Sequence, residues 1–549
     1  MALLHGSMVS RSRILLYILI AGALLFVPGL GAVHLFDWDE INFAEIAREM
    51  VVTGDWSRPQ IAYLPFHEKP PLFVWLQALS MSVFGVGEFA ARLPNALCGI
   101  LTLVILFRIG EQLRGKTFGM LWALAYVGSI LPHLYFRSGI IDPWFNLFIF
   151  LGLHAIITLV HAEAGMNRYA WLAGAMLGLA VLTKGPVGVL VPGLVMGVYW
   201  VMERGKSYMR WTSLLTIALG TLLTISTWGL FDLWRNGPEF MEAFFWRQVA
   251  MLTTEDAGHG GFFGYHFVVL LIGCFPASIF ALQEMLRPTR TGEKNPDDHR
   301  RWMVILFWVV LILFSVVKTK IVHYSSLCYF PLTYLAALQL ERSWAKQEAF
   351  GWSRFGVGVL GTLLAVVVMA VPIVGMNIDW LRPLMSQDPF AAANLDADVQ
   401  WSGAEMIAGA MLLTALIAGH FLHTRGRYRA SILAIFGGGA LFVTTTLFFF
   451  INRIEGYSQR AAIEFFEARQ GEDCYVITKN YKSYAQLFYT RKPPVTDPRA
   501  HDELWLLRGD IDRPVYVVCK ITAVDEVATV TEMTELYRKN GFVFFRRDP

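Results

Sequence analysis

Ionisable side chains gather in one short stretch just after the first apolar run. Asp39 and Glu40 open it, Arg58 lies within it, and His67, Glu68 and Lys69 close it ahead of Pro70 and Pro71. More polar groups sit at the ends of later apolar runs: Arg137 and Asp142, Lys184, Arg247, Glu255, Asp256, His259, Lys318, Lys320, His323, Tyr324 and Tyr329. Charge placed in or beside a membrane is costly and tends to mark function. Lysine and arginine near an interface can bind a phosphate whose lipid tail stays in the bilayer. A carboxylate such as Asp39 can take a proton from an acceptor hydroxyl as it attacks an electrophilic carbon. Cations around a leaving phosphate stabilise the charge that develops as its bond breaks. Together these needs describe glycosyl transfer from a lipid-phosphate sugar.

Each residue also has a plainer reading. Asp39 can cap a helix. Asp142, followed by Pro143, fits a helix start. Lys184, Lys318 and Lys320 can snorkel to lipid head groups. His67 and Glu68 are weak candidates for a divalent metal, since two adjacent residues make a poor ligand set. The aromatic run Phe244-Phe245-Trp246 fits an interfacial belt.

The elements that must position these groups follow from composition. The chain is 55% hydrophobic and 16% charged over 549 residues, with a mean hydropathy of +0.47. Soluble domains carry roughly 25% charge, so a polytopic helical membrane protein is expected. No internal repeat is evident, which counts against an inverted-repeat transporter. Apolar runs predict about thirteen spans, near residues 14–34, 93–109, 118–136, 144–160, 169–183, 187–202, 211–233, 262–282, 302–317, 322–340, 357–376, 404–422 and 432–451. The first is too long, and lacks the cleavage pattern, for a removable signal peptide. With Arg11 and Arg13 before it, its N-terminus is expected inside. The basic connections then also fall inside, and the polar groups above share the outer face.

Between the first two spans, Phe43, Ile46, Ala47, Met50 and Val51 recur at helical spacing, with Glu45, Arg48 and Glu49 opposite. This predicts a helix lying on the membrane, stopped by Gly54. Residues 70–84 predict a second surface or partly inserted helix rather than a span.

From about residue 453 the composition becomes soluble. CYVIT, PVYVVC and FVFFRR predict strands and SYAQLFY a helix, giving a small α/β domain with nothing catalytic in it. The expected division is a transmembrane domain over 1–452, with its catalytic outer loop at 35–91, and a soluble domain over 453–549. Cys98, Cys274 and Cys328 lie in apolar runs and read as buried thiols. Cys474 and Cys519 fall in the soluble part, where a disulfide between them is open.

Two other function classes compete. A transporter with a polar outer vestibule should keep charges at mid-span, whereas here they sit at span ends. An envelope assembly protein would use the C-terminal domain for contacts alone.

The ordered set of motifs is similar to a known family. Asp39-Glu40, FAEIAREM, GDW, EKPP, DP at Asp142, TKGP at Lys184, FFW, and K-x-K…Y…FP from Lys318 resemble the bacterial lipid A aminoarabinose transferases. These belong to the GT-C class together with the protein O-mannosyltransferases. The resemblance covers roughly residues 14–340. It implies an inverting transferase on the periplasmic side of the bacterial inner membrane. The implied donor is an undecaprenyl-phosphate sugar, either 4-amino-4-deoxy-L-arabinose or a related one. The implied acceptor is lipid A, or else another envelope glycolipid or a protein. A protein O-mannosyltransferase-like activity is the alternative. Nucleic acid is not an expected partner, and no cofactor is implied beyond the open question of a divalent metal.

The resemblance also implies residue roles. Asp39 stands at the reacting centre, with Asp142 as a second carboxylate in the same cavity. Lys69 meets the donor phosphate and Lys184 shares that cavity. Arg58 and Tyr329 are implied as phosphate partners, and Glu40, Glu68, Arg247, Lys318, Lys320 and Tyr324 as further substrate contacts. An acceptor phosphate is already ionised at neutral pH, so Asp39 is then expected to orient the acceptor or stabilise charge at the sugar carbon. The chain departs from the family where an Arg-Phe pair follows FFW. Met251-Leu252 stand there instead, which leaves the sugar and acceptor open.

Overall fold

The structure is a computed structural model and describes residues 10–37, 39–162, 167–253, 260–287, 296–530 and 532–549. Glu255, Asp256 and His259 lie outside the described residues.

The chain begins with the apolar helix α1, Arg11–Phe26, whose first turn is capped by the Ser10 hydroxyl accepting from the Arg13 amide. An irregular segment leads to α2, Asp39–Thr53, which ends at Gly54 with φ +70°. That left-handed backbone is open to glycine at little cost. A two-stranded hairpin follows, β1 (Gln60–Ile61) against β2 (Leu64–Pro65). Helix α3, Leu72–Phe84, has 13 residues. It is about 20 Å long at 1.5 Å per residue, too short for a hydrocarbon core of about 30 Å. Helix α4, Glu88–Arg114, is long enough to cross.

The rest of the membrane part is a bundle of apolar helices. Helix Asn167–Lys184 packs closely on Trp211–Asn236. A side chain at Gly174 would stand 2.5 Å from the Ile217 carbonyl oxygen and 2.9 Å from the Gly220 Cα. Small residues let helix backbones approach where lipid supplies no hydrophobic drive.

Helix forms within each of the thirteen expected segments. By length and composition, seven helices among the described residues can cross a membrane, or nine if each bent pair is one span. The chain is a multi-pass membrane protein.

Three segments expected as straight spans are not straight. Lys116–Val127 and Ile130–Arg137 meet at 83°, across Gly128-Ser129. Tyr265–Gly273 and Ala277–Met285 meet at 116°. Pro276 stands at that break, and a proline has no amide to continue the helical ladder. The segment 322–340 starts as a tight 3₁₀ run, Val322–Cys328, before the helix Tyr329–Lys346. All three breaks let loop-like backbone enter the bundle where protein, not lipid, surrounds it.

The C-terminal part is a four-stranded sheet in the order β3 (Tyr475–Lys479), β4 (Val515–Lys520), β6 (Phe542–Arg547), β5 (Met533–Lys539). Strand β3 is parallel to β4 and the other pairings are antiparallel. Along β4 the side chains alternate: Tyr516 and Val518 face one core, and Val515, Val517 and Cys519 the other. The first core is shared with Phe43, Ile46 and Met50 of α2 and Phe73 of α3. The soluble part is therefore welded to the loop 35–91 rather than tethered beside it.

The open question of a disulfide is settled by this alternation. Cys474 and Cys519 lie in cores on opposite faces of the sheet, and all five cysteines are buried free thiols. A disulfide needs Cβ atoms about 4 Å apart, which opposite faces do not provide.

Candidate active site

A cavity of 940 Å³ lies where the exit of α1, the start of α2 and the sheet domain meet. Asp39, Asn42 and Phe43 line it from the first turns of α2. Their i, i+3, i+4 spacing puts them on one helix face. Leu30 and Val33 after α1, with Leu447, Phe448 and Ile451 of the helix Tyr428–Ser458, make a further, apolar part of the wall. Phe448 is 76% exposed, so this part borders the lipid-facing surface.

Asp39 is not spent on capping its helix. Its Oδ2 stands 3.1 Å from Nε2 of His323. Burial pushes this carboxyl up, but His323, with Lys184 and Lys69 nearby, outweighs burial and holds it near 2. Replacing His323 by glutamine is expected to raise Asp39 toward the ordinary carboxylate range. The acid limb of the pH–rate profile then moves up by roughly one pH unit or more. Activity persisting to the same low pH in that variant argues against the pairing.

Lys69, Lys184 and Arg247 line the same cavity, and Glu68 stands 3.7 Å from Arg247. Among the described residues Lys69 makes no ion pair or hydrogen bond. Burial, and then the neighbouring cations Lys184 and Arg247, lower its ammonium below the usual lysine range against the pull of Glu68 and Asp39. Such a cluster favours an incoming anion. Lys184 is held from behind by Asp142, whose Oδ1 accepts from Nζ at 2.6 Å. The ring of Tyr324, another lining residue, lies 5.6 Å from the same ammonium.

Several expected contacts sit elsewhere. Asp142 is 2% exposed and is not part of the cavity wall. Of the two carboxylates expected in the cavity, Asp39 lines it and Asp142 lies behind Lys184. Both oxygens of Glu40 are occupied by Arg92 and by the amides of Phe36 and Gly139. Glu40 borders the cavity with both oxygens already engaged by the protein.

Arg58 donates to Glu239 at 2.9 Å and faces Nε2 of His67 at 3.1 Å, off the cavity wall. Lys320 is buried and donates to the carbonyls of Phe314 and Ser315, closing the C-terminal end of the helix Pro296–Val316. Lys318 is exposed outside the cavity. Tyr329 is buried beneath Tyr135, ring centroids 5.5 Å apart, and Tyr135 rather than Tyr329 lines the wall. At Arg58, Lys320 and Tyr329 the charge or ring is taken up by neighbours inside the fold.

A metal does not fit His67 and Glu68. Each faces a guanidinium, and among the described residues no three His, Cys, Asp or Glu side chains converge for an ion. A divalent cation there would meet two positive charges.

Sequence reasoning names His323 among the polar groups without giving it a role, and it passes over Arg92 and over Asn42, Lys482 and Tyr484 of the wall. Arg92 carried a usable signal, since an arginine at the edge of an apolar run needs a partner. Lys482 and Tyr484 carried none, because they come from the soluble domain.

Comparison with known proteins now places the chain. A family model described as dolichyl-phosphate-mannose-protein mannosyltransferase matches residues 68–230. An undecaprenyl phosphate-alpha-4-amino-4-deoxy-L-arabinose arabinosyl transferase of Pectobacterium carotovorum is 26% identical over 73% of this chain and 74% of its own length. The arabinosyl transferase 1 of the same name from Sodalis glossinidius is 30% identical over 55% of this chain and 54% of its own. The crystal structure of ArnT from Cupriavidus metallidurans, bound to undecaprenyl phosphate, shares the fold with a TM-score of 0.75, covering 98% of both chains at 20% identity. The chain resembles the ArnT-like GT-C transferases over most of its length. Its fold is accordingly GT-C, with an appended α/β domain, and its activity is that of a glycosyltransferase.

Proposed function

We propose that this protein is an inverting glycosyltransferase that moves 4-amino-4-deoxy-L-arabinose, or a closely related sugar, from undecaprenyl phosphate to a phosphate of lipid A. The observation that carries this reading is the shared cavity: Asp39, held ionised, beside Lys69, Lys184 and Arg247, with an apolar wall at its lipid-facing border. An amphipathic lipid phosphate suits such a site. The relatives named as aminoarabinose transferases favour this sugar.

In the step itself, an acceptor phosphate oxygen attacks the anomeric carbon from the side opposite the leaving group. The bond from that carbon to the donor phosphate oxygen breaks, and its electron pair leaves with undecaprenyl phosphate. Lys69, Lys184 and Arg247 meet the charge that forms there. Positive charge builds on the sugar carbon at the same time, and Asp39 faces it. A carboxyl held near 2 is a poor proton acceptor, since a useful general base has a pKa near the working pH. That favours an acceptor already ionised over a hydroxyl, and so a phosphate over a serine or threonine side chain.

We place the cavity on the periplasmic side of the inner membrane. Basic connections meet at the far end of the bundle, where Arg114 pairs with Glu341, Arg300 with Glu284 and Arg301 with Glu203. The positive-inside bias makes that end cytoplasmic.

The test is transfer by purified protein in lipid nanodiscs, given undecaprenyl-phosphate aminoarabinose and lipid A and followed by mass spectrometry. Addition of the amino sugar to lipid A is expected. Glycosylation of a peptide hydroxyl with none on lipid A would overturn the acceptor. In the same assay Lys69→Ala is expected to raise the donor KM about tenfold, as the loss of one charged phosphate contact does. Unchanged donor affinity would argue against that contact.

A further inference from the structure

We propose that the sheet domain supplies the acceptor-binding wall of this cavity: the Lys482 ammonium binds a phosphate on the acceptor's head group, and the Tyr484 ring packs on an adjoining sugar. This rests on the transferase reading above and assigns the acceptor's place within it.

Lys482 and Tyr484 line the cavity that contains Asp39. They belong to the loop between β3 and the helix Ala485–Thr490, which turns at Asn480 with φ +63°. The Lys482 ammonium stands 5.8 Å from the centre of the Tyr484 ring. A cation beside an aromatic face is a pairing that suits a phosphorylated sugar, with charge for the phosphate and a flat apolar surface for the ring's C–H face.

The loop is held against the reacting centre rather than resting near it. Within it, the Ser483 hydroxyl donates to Asp37, two residues before Asp39. Beyond it, the Tyr489 hydroxyl accepts from the Leu35 amide at 2.7 Å. Further along, the Lys492 carbonyl accepts from the Tyr63 hydroxyl at 2.6 Å and from Arg48 at 3.2 Å. These bonds join the sheet domain to both sides of Asp39 in sequence, so the position of Lys482 relative to the carboxylate is fixed by the fold.

Geometry separates the acceptor from the donor. Lys69 comes from a loop, Lys184 from a helix end and Arg247 from the helix Glu239–Thr253 of the membrane part, where a lipid-linked phosphate lies at the bilayer surface. Lys482 comes from the domain outside the apolar bundle, at the height of a head group. Inversion needs the nucleophile and the leaving group on opposite sides of the sugar carbon. Two anions around one carbon therefore need two cationic sites, and Lys482 supplies one that is separate from Lys69, Lys184 and Arg247 in the fold.

The test measures initial rates in nanodiscs against lipid A at saturating donor, and against donor at saturating lipid A. Lys482→Ala is expected to raise the acceptor KM about tenfold and leave the donor KM within twofold, and Lys482→Arg to recover most of the loss. With enzymatically dephosphorylated lipid A, and a residual hydroxyl-directed transfer or competition against intact lipid A as readout, Lys482→Ala is expected to add no further loss. An unchanged acceptor KM, a parallel rise in donor KM, or an equal loss with the phosphate-free acceptor would each overturn the assignment. Wild-type protein that transfers nothing to lipid A fails differently. It overturns the reaction proposed above, and this assignment with it.

Discussion

Asp39→Asn is expected to lower transfer by at least about a hundredfold while leaving the protein folded and in the membrane. Losing one preorganised electrostatic group at a reacting centre costs about 10²–10³ in rate. Asparagine keeps the shape of the side chain and can still face His323, so the wall of the cavity survives. What it removes is the negative charge opposite the sugar carbon, in a pocket where Lys69 and Lys184 otherwise leave a net positive field.

The kinetic signature should be a fall in kcat with donor KM little changed, because Asp39 acts on the transition state rather than on donor binding. Asp39→Glu tests placement separately. It restores the charge one methylene further out, and a rate between wild type and Asp39→Asn is expected. The sign of the pH dependence follows from the lowered pKa. The charge is present throughout the ordinary pH range and is lost only as pH falls toward about 2. Transfer should therefore show no acid limb from Asp39 above about pH 4, the range of an unperturbed aspartate. Wild-type transfer by Asp39→Asn would remove Asp39 from the reacting centre.

How much of this site was legible depended on where each residue's partner lay. Asp39 and Lys69 stood out because they are charges beside an apolar run, and the membrane makes such charges expensive. The two-residue period in CYVIT, PVYVVC and FVFFRR gave away β3, β4 and β6. Strand β5 escaped because its side chains are almost all exposed and show no alternation, although Asn540-Gly541, both with positive φ, is a hairpin signature that could have found it.

The apolar stripe marks the helix α2, but nothing in the sequence shows that its opposite, polar stripe is also covered. Glu45, Arg48 and Glu49 are 0–2% exposed. Arg48 closes a two-bonded pair with Glu45 and reaches the carbonyl of Lys492. Burial and the neighbouring Glu45 push Glu49 up to about 9. The cover over that stripe comes from a domain more than four hundred residues later. No local pattern reports a partner so distant, and the same distance hid Lys482 and Tyr484 from the cavity wall.

The Glu40–Arg92 pair should carry the largest effect on stability. Glu40 accepts from Arg92 through both oxygens, at 2.9 and 2.8 Å, and also from the amides of Phe36 and Gly139. Arg92 in turn donates to the carbonyls of Leu30, Val33 and His34. One ion pair thus ties the exit of α1, the start of α2, α4 and the turn before Asp142. Both residues are about 5% exposed.

Removing one partner leaves the other charge buried and unpaired, at a cost of about 3–5 kcal/mol. Arg92→Met and Glu40→Gln are each expected to lower the thermal midpoint in detergent sharply. Each should also lose transfer, because Asp39 is the next residue to Glu40 on the same helix turn. Carrying both changes together leaves no unpaired charge. The double variant should therefore be more stable than the sum of the single losses predicts, by about 1 kcal/mol or more. Burial raises the Glu40 carboxyl, but Arg92 and the two amides outweigh it and hold the group below the usual glutamate range. A carboxyl so lowered contributes stability that is fully present above that range and is lost as pH falls through its folded value. The wild-type midpoint should accordingly drop in acid. The Glu40→Gln midpoint should drop less over the same interval, having already lost the group that titrates. Additive losses in the double variant, or equal acid sensitivity in Glu40→Gln, would mean that this pair is not what holds the catalytic turn in place.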